Sequence, residues 1–155
     1  MYRTIVAVFF LFAFLSCDKE PGYLRLPGNL TVTAAGQNVD SLIKANKYTA
    51  LVLYCDHCGK GIPDLYYWND IVKKNANISP LIIIKSDIPK LIEAYLDIYR
   101  VNHPRVLYNF DTLRAMNPII KSNTVILIDS SYRILHQTAD PENTNARWKY
   151  IHIYK

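Results

Sequence analysis

Ala50-Leu51-Val52-Leu53-Tyr54-Cys55-Asp56-His57-Cys58 decides how this chain reads. An apolar run of strand length leads into a C-x-x-C pair, and the residues beyond it carry a helical pattern. From Cys58 to about Lys74, Ile62, Leu65, Tyr66, Trp68, Ile71 and Val72 recur at three- and four-residue spacings. A thiol at such a strand-to-helix junction faces unpaired backbone N–H groups and the positive end of the helix dipole. Both stabilise the thiolate, the reactive form. The strand-then-C-x-x-C context is more specific than the bare spacing, which also occurs in zinc sites. Redox chemistry at Cys55 is the expectation. Two alternatives stand beside it. One is a static disulfide, and the other a metal site using Cys55, His57 and Cys58 with His103 as a remote fourth ligand. No second C-x-x-C exists, and positions 55, 57 and 58 converge poorly from one helix start. Neither a metal nor a cofactor is therefore expected.

The third cysteine belongs to the N-terminus. Arg3 precedes the apolar run Thr4 to Leu15, which ends at Ser16-Cys17. A basic start, a short apolar core and a small residue at the break describe a secretory signal over residues 1–16. The run is shorter than the roughly 20 apolar residues of a membrane span. Phe14-Leu15-Ser16-Cys17 resembles a bacterial lipobox, with Phe14 where leucine is usual. That motif implies lipidation of Cys17, a short tether over residues 17–22, and anchoring at a membrane of the cell envelope, facing the periplasm or exterior. An oxidising space of that kind lets Cys55 and Cys58 persist as a pair.

The remaining stretch, 23–155, suits one domain with its own core. Half of the 155 residues are hydrophobic and a fifth are charged, as in a globular protein. The 18 basic residues against 13 acidic give a net charge of +5. That surplus is dispersed, with Lys73-Lys74 as the single adjacent basic pair. Nucleic-acid binding needs a clustered basic face, so it is not expected. Tyr66-Tyr67-Trp68 could suggest a sugar-stacking face, but its helical spacing with other apolar residues reads as core.

Tyr23 to Leu26 and Leu30 to Thr33 flank the turn chemistry of Pro27-Gly28-Asn29, predicting an N-terminal β-hairpin. Val39 to Asn46 reads as a short helix. Tyr48 to Tyr54 and Leu81 to Ile84 read as buried strands because they are almost continuously apolar. Ser86 or Asp87 is placed to cap the next helix, with Pro89 in its first turn and Ile92, Tyr95, Leu96 and Tyr99 inward. Arg105 to Tyr108 reads as an edge strand and Asp111 to Met116 as a helical turn. Thr124 to Ile128 and Arg133 to Gln137 form a second hairpin through Asp129-Ser130-Ser131-Tyr132. The tail from Trp148 to Tyr154 is aromatic. The order predicts an α/β fold: a central mixed sheet with helices on both faces.

In these features the chain resembles thioredoxin-like proteins of the redoxin type, among them membrane-tethered bacterial thiol-disulfide oxidoreductases. The resemblance covers most of residues 23–155. It rests on the strand into Cys55-Asp56-His57-Cys58, the closing hairpin, and Pro63 five residues after the second cysteine. It implies a thioredoxin-like fold, Cys55 as exposed nucleophile and Cys58 as resolving thiol. His57 would favour the Cys55 thiolate and Asp56 oppose it. The partners implied are cysteine-containing exported proteins and a separate redox protein that recharges the pair. Two positions depart from the family pattern. Asn123, just before Thr124, stands where a cis-proline docks substrate, and Tyr54 stands where tryptophan commonly precedes the first cysteine.

Overall fold

The computed structural model describes residues 22–33, 36–56, 62–120 and 125–138. Among the described residues nine elements follow one another. They are α1 (Val39–Ala45), β1 (Tyr48–Cys55), α2 (Ile62–Lys74), β2 (Ile78–Lys85), α3 (Pro89–Ile98), β3 (Arg105–Leu107), α4 (Phe110–Met116), β4 (Val125–Asp129) and β5 (Ile134–Thr138). The five strands form one sheet in the order β3-β2-β1-β4-β5. β1 runs parallel to β2 and antiparallel to β4, so the sheet is mixed as expected.

The central position of β1 follows from its composition. Seven of its eight residues are buried, which only a strand covered on both faces can satisfy. Its alternation divides the core in two. Leu51, Leu53 and Cys55 join Leu81, Ile83, Ile126 and Ile128 beneath α1 and α4. Ala50, Val52 and Tyr54 join Ile82, Ile84 and Leu127 beneath α2 and α3, where Trp68, Ile71, Ile92 and Leu96 close the layer. Asn38 and Asn109 accept from the Asp40 and Asp111 N–H groups and cap α1 and α4.

β2 begins three residues earlier than its apolar run suggested and carries Pro80 opposite Ala50. A proline inside an inner strand should forfeit a ladder bond. The Ile82 N–H points to the β3 side, donating to the Pro104 carbonyl at 2.9 Å. By alternation Pro80 faces the same way, and β3 does not begin until the Ile82 rung. The missing N–H therefore falls where no partner strand lies.

Three expectations need correction. The N-terminal hairpin does not pair with itself, although Leu30 closes the Pro27 turn. Tyr23 instead bridges Arg133, and Thr31 bridges Asn38. The Leu24 N–H donates to the Tyr132 carbonyl at one sheet edge, while Thr33 donates to Arg105 at the other. This segment is a strap across one face of the sheet, because Leu24, Leu30 and Val32 all bury into that face's core. Self-pairing would leave half of those side chains in water. Second, Tyr95 and Tyr99 are exposed, not inward, since Ile92 and Leu96 already fill the contact with the sheet. Tyr66 is likewise exposed beside fully buried Trp68. Third, Ile88 occupies the α3 cap position without a side-chain cap bond. Pro89 stands at the first turn as expected.

Asn117 clamps the strap. Its Oδ1 accepts from the Arg25 N–H at 2.7 Å, and its Nδ2 donates to the Arg25 and Leu113 carbonyls at 2.7 and 2.9 Å. This buried amide reproduces a strand rung with a side chain. Asn117→Ala is expected to lower unfolding free energy by about 2–4 kcal/mol. Denaturant titration, with exchange of the Arg25 amide as the local readout, checks it; unchanged exchange would show that the clamp is not what holds the strap.

His103, in the loop before β3, has a buried Nε2 with no hydrogen-bond partner. Burial holds its imidazole below the ordinary value. The unfolded chain then takes up a proton first as pH falls, so this residue's contribution is lost from about pH 6.5 downward. His103→Gln should flatten the loss of stability between about pH 7 and 5, measured by urea unfolding across that range. A slope identical to wild type would assign the acid sensitivity elsewhere.

Candidate functional site

Parallel strands β1 and β2 end side by side, with Cys55 in register with Lys85. Beyond them the chain leaves β1 for α2 and β2 for α3, while β4 enters antiparallel on the other flank. Crevices outside the carboxyl ends of strands, where connections diverge, are the ordinary place for chemistry in open α/β sheets. Cys55 is the last residue of β1 at this position.

Cys55 is disulfide-bonded. Its side chain shares the face of Leu51 and Leu53, and it is only 7% exposed. The expectation of an exposed sulfur is therefore not met in the disulfide state. The reason is register: Cys55 still belongs to the paired strand, so its side chain points into the layer under α1 and α4 instead of standing clear of the sheet. Cys17, His57, Cys58, Asn123 and Thr124 lie outside the described residues.

Asp56 follows immediately and is anchored across the gap. Its Oδ2 accepts from Ser86 Oγ at 2.7 Å and from the Asp87 N–H at 3.2 Å. Ser86 Oγ also accepts from the Ile88 N–H at 3.0 Å. A single carboxylate thus joins the exits of β1 and β2, and the serine read as a helix cap instead relays between them. Lys85, on the Cys55 rung and the same face, reaches Asp111 at 3.2 Å. Sequence reasoning missed Lys85, Ser86, Asp87 and Asp111. The available signal was a polar Lys-Ser-Asp run directly after a buried parallel strand, which places it at the strand-end crevice.

His103 takes no part. The Pro104 carbonyl beside it bonds the Ile82 N–H, three residues below the Lys85 rung and on the far side of β2 from β1. This register sets His103 apart from the Cys55 end of β1. Among the described residues no group of three His, Cys, Asp or Glu side chains could hold a metal ion.

Solved structures provide the comparison. The fold is similar to the thioredoxin domain of a thiol-disulfide oxidoreductase from Bacteroides vulgatus, with 12% identity, a TM-score of 0.64, and 83% of this chain and 96% of that one covered. A thiol:disulfide interchange protein from a Bacteroides species matches with 14% identity and a TM-score of 0.61 over 84% and 90% of the two chains. A secreted disulfide oxidoreductase from Mycobacterium tuberculosis matches with 10% identity and a TM-score of 0.59 over 76% and 92%. No family model matches the sequence, nor does any curated protein. At these identities the likeness establishes a thioredoxin-like fold.

Removing the relay tests the site's construction. Ser86→Ala deletes one charge-assisted hydrogen bond and the acceptor of another, at an expected cost of about 1–2 kcal/mol. Hydrogen exchange at Asp87 and Ile88 should accelerate while the β1 core stays protected. Unaltered exchange at those two amides would show that the serine does not close the junction.

Proposed function

We propose that this thioredoxin-fold chain is a thiol-disulfide oxidoreductase of the bacterial cell envelope, anchored by lipid on Cys17 and acting on cysteines of exported proteins. The observation that carries the reading is Cys55, held in a disulfide at the end of the central strand. Among the described residues no helix is long and apolar enough to cross a membrane.

In the reducing direction, the Cys55 thiolate attacks one sulfur of a partner disulfide. That S–S bond breaks, one partner thiolate leaves and takes a proton, and a mixed disulfide forms. The Cys58 thiolate then attacks the Cys55 sulfur. The second partner thiolate leaves, and a Cys55–Cys58 disulfide remains. Two electrons pass from the pair to the partner, and the reverse sequence oxidises a dithiol. The sulfurs carry the electrons, so no cofactor is needed; a separate dithiol protein restores the reduced pair. His57, between the cysteines in sequence, favours the Cys55 thiolate, while Asp56 opposes it. Asn123 and Thr124 supply the docking backbone. With Asn123 in the usual proline place, a trans bond is favoured by about 3–4 kcal/mol.

The low exposure of Cys55 favours a second reading, a binding or sensor module whose disulfide is structural. Insulin reduction separates the two. Wild type should turn over, Cys55→Ser should fall to background, and Cys58→Ser should accumulate mixed disulfides through Cys55. The reduction potential should lie above roughly −270 mV, the thioredoxin value. Equal behaviour of wild type and Cys55→Ser removes the enzyme reading.

A further inference from the structure

The helix α3 presents more apolar surface than the sheet uses. Ile92 and Leu96 face the core. Ile88, Leu91, Tyr95, Ile98 and Tyr99 are exposed, Ile98 at 71% and Ile88 at 50%. At 100° per residue Leu91, Tyr95 and Ile98 fall within an arc of roughly 60° next to the buried one, and Ile88 and Tyr99 stand at the two caps of the helix. Lys90, Glu93, Asp97 and Arg100 lie on the remaining arc. Scattered exposed apolar residues need no explanation, but a continuous stripe does.

The stripe begins at the candidate site. Ile88 follows Ser86 and Asp87, which bind the Asp56 carboxylate beside Cys55. From there it runs along the ten residues of α3, about 15 Å. Resting on the oxidoreductase reading, we infer that this stripe docks an extended apolar segment next to the cysteine of a protein partner. An extended chain covers that length with about five residues, so the partner's apolar side chains would lie within about six residues of its cysteine.

Size and charge select this occupant over others. The exposed area of the five residues is roughly 500 Å², short of the roughly 800 Å² per partner of a stable complex and in the range of transient redox encounters. A second copy bound permanently would need more. Lys90 and Arg100 offset Glu93 and Asp97, so the polar arc lacks the basic excess that draws an amphipathic helix to anionic lipid. Recognition by this face is apolar and brief.

The test uses the full chain and two probes. The first is a fluorescent cysteine-free peptide carrying leucine and phenylalanine in its central six residues, with a serine-substituted twin. The second is a small aromatic disulfide. Wild type should bind the apolar peptide about fivefold tighter than its twin, and Leu91→Ser with Tyr95→Ser should abolish that preference. Lys90→Ser, on the polar arc, should preserve it. Both variants should keep the wild-type thermal midpoint and react with the small disulfide within about twofold of wild type. A peptide preference that survives the double substitution overturns the docking proposal. So does a wild-type dimer, or neutral-vesicle binding, that the same substitutions abolish. Failure of wild type to react with the small disulfide would instead sink the oxidoreductase reading, independently of peptide binding.

Discussion

Everything in this fold hangs on β1 being covered on both faces and paired on both edges. Its partner on one side is parallel and on the other antiparallel, and seven of its eight residues are buried. A one-residue slip would exchange the two cores wholesale, moving Leu51 and Leu53 into the layer fitted around Trp68. Register is therefore tightly specified, and with it the position of Cys55 at the strand's end. The rung shared with Lys85 and the carboxylate tie from Asp56 to Ser86 follow from that register. The site is precise because the sheet is.

The strap solves a different problem. A five-stranded open sheet leaves two edges, which invite pairing with other chains. Tyr23 bridges Arg133 at the β5 side, and Thr33 donates to Arg105 on β3, so one segment engages both margins. Tyr132 joins the strap to α1. Its carbonyl accepts from the Leu24 N–H and its hydroxyl donates to Asp40, whose carboxyl Lys44 and this hydroxyl hold below the usual range. Burial and the neighbouring carboxylate push the tyrosine hydroxyl upward, keeping it a donor. Tyr132 makes these contacts from a left-handed backbone conformation, φ 66. The strain is sustained because three elements meet there.

The two faces of the sheet are finished differently. Under α1 and α4 the layer is closed by the strap, and Cys55 is sealed within it. Under α2 and α3 the layer is closed too, yet α3 keeps an apolar stripe in water beside the candidate site. The buried cysteine and the exposed apolar rim thus meet at the same end of the sheet.

Local pattern was enough for the elements and their order. Continuous apolarity marked β1 and β2 as inner strands, three- and four-residue spacing marked the helices, and Asp129-Ser130-Ser131-Tyr132 marked the closing hairpin. Those signals are local because burial on two faces or one leaves a period in the sequence. The end of the strand at Cys55 was legible for the same reason. Pairing partners were not. Pro27-Gly28-Asn29 turns the chain, but a turn does not say which edges its arms will meet, and the arms left each other to bury Leu24 and Val32. Tyr95 and Tyr99 fit an inward spacing, but only the width of the groove between α3 and the sheet decided that Ile92 and Leu96 exclude them. Cys55's burial, the Asp56–Ser86 tie and the Asn117 clamp join residues 30 to 92 positions apart, and such contacts exist only once the sheet has closed.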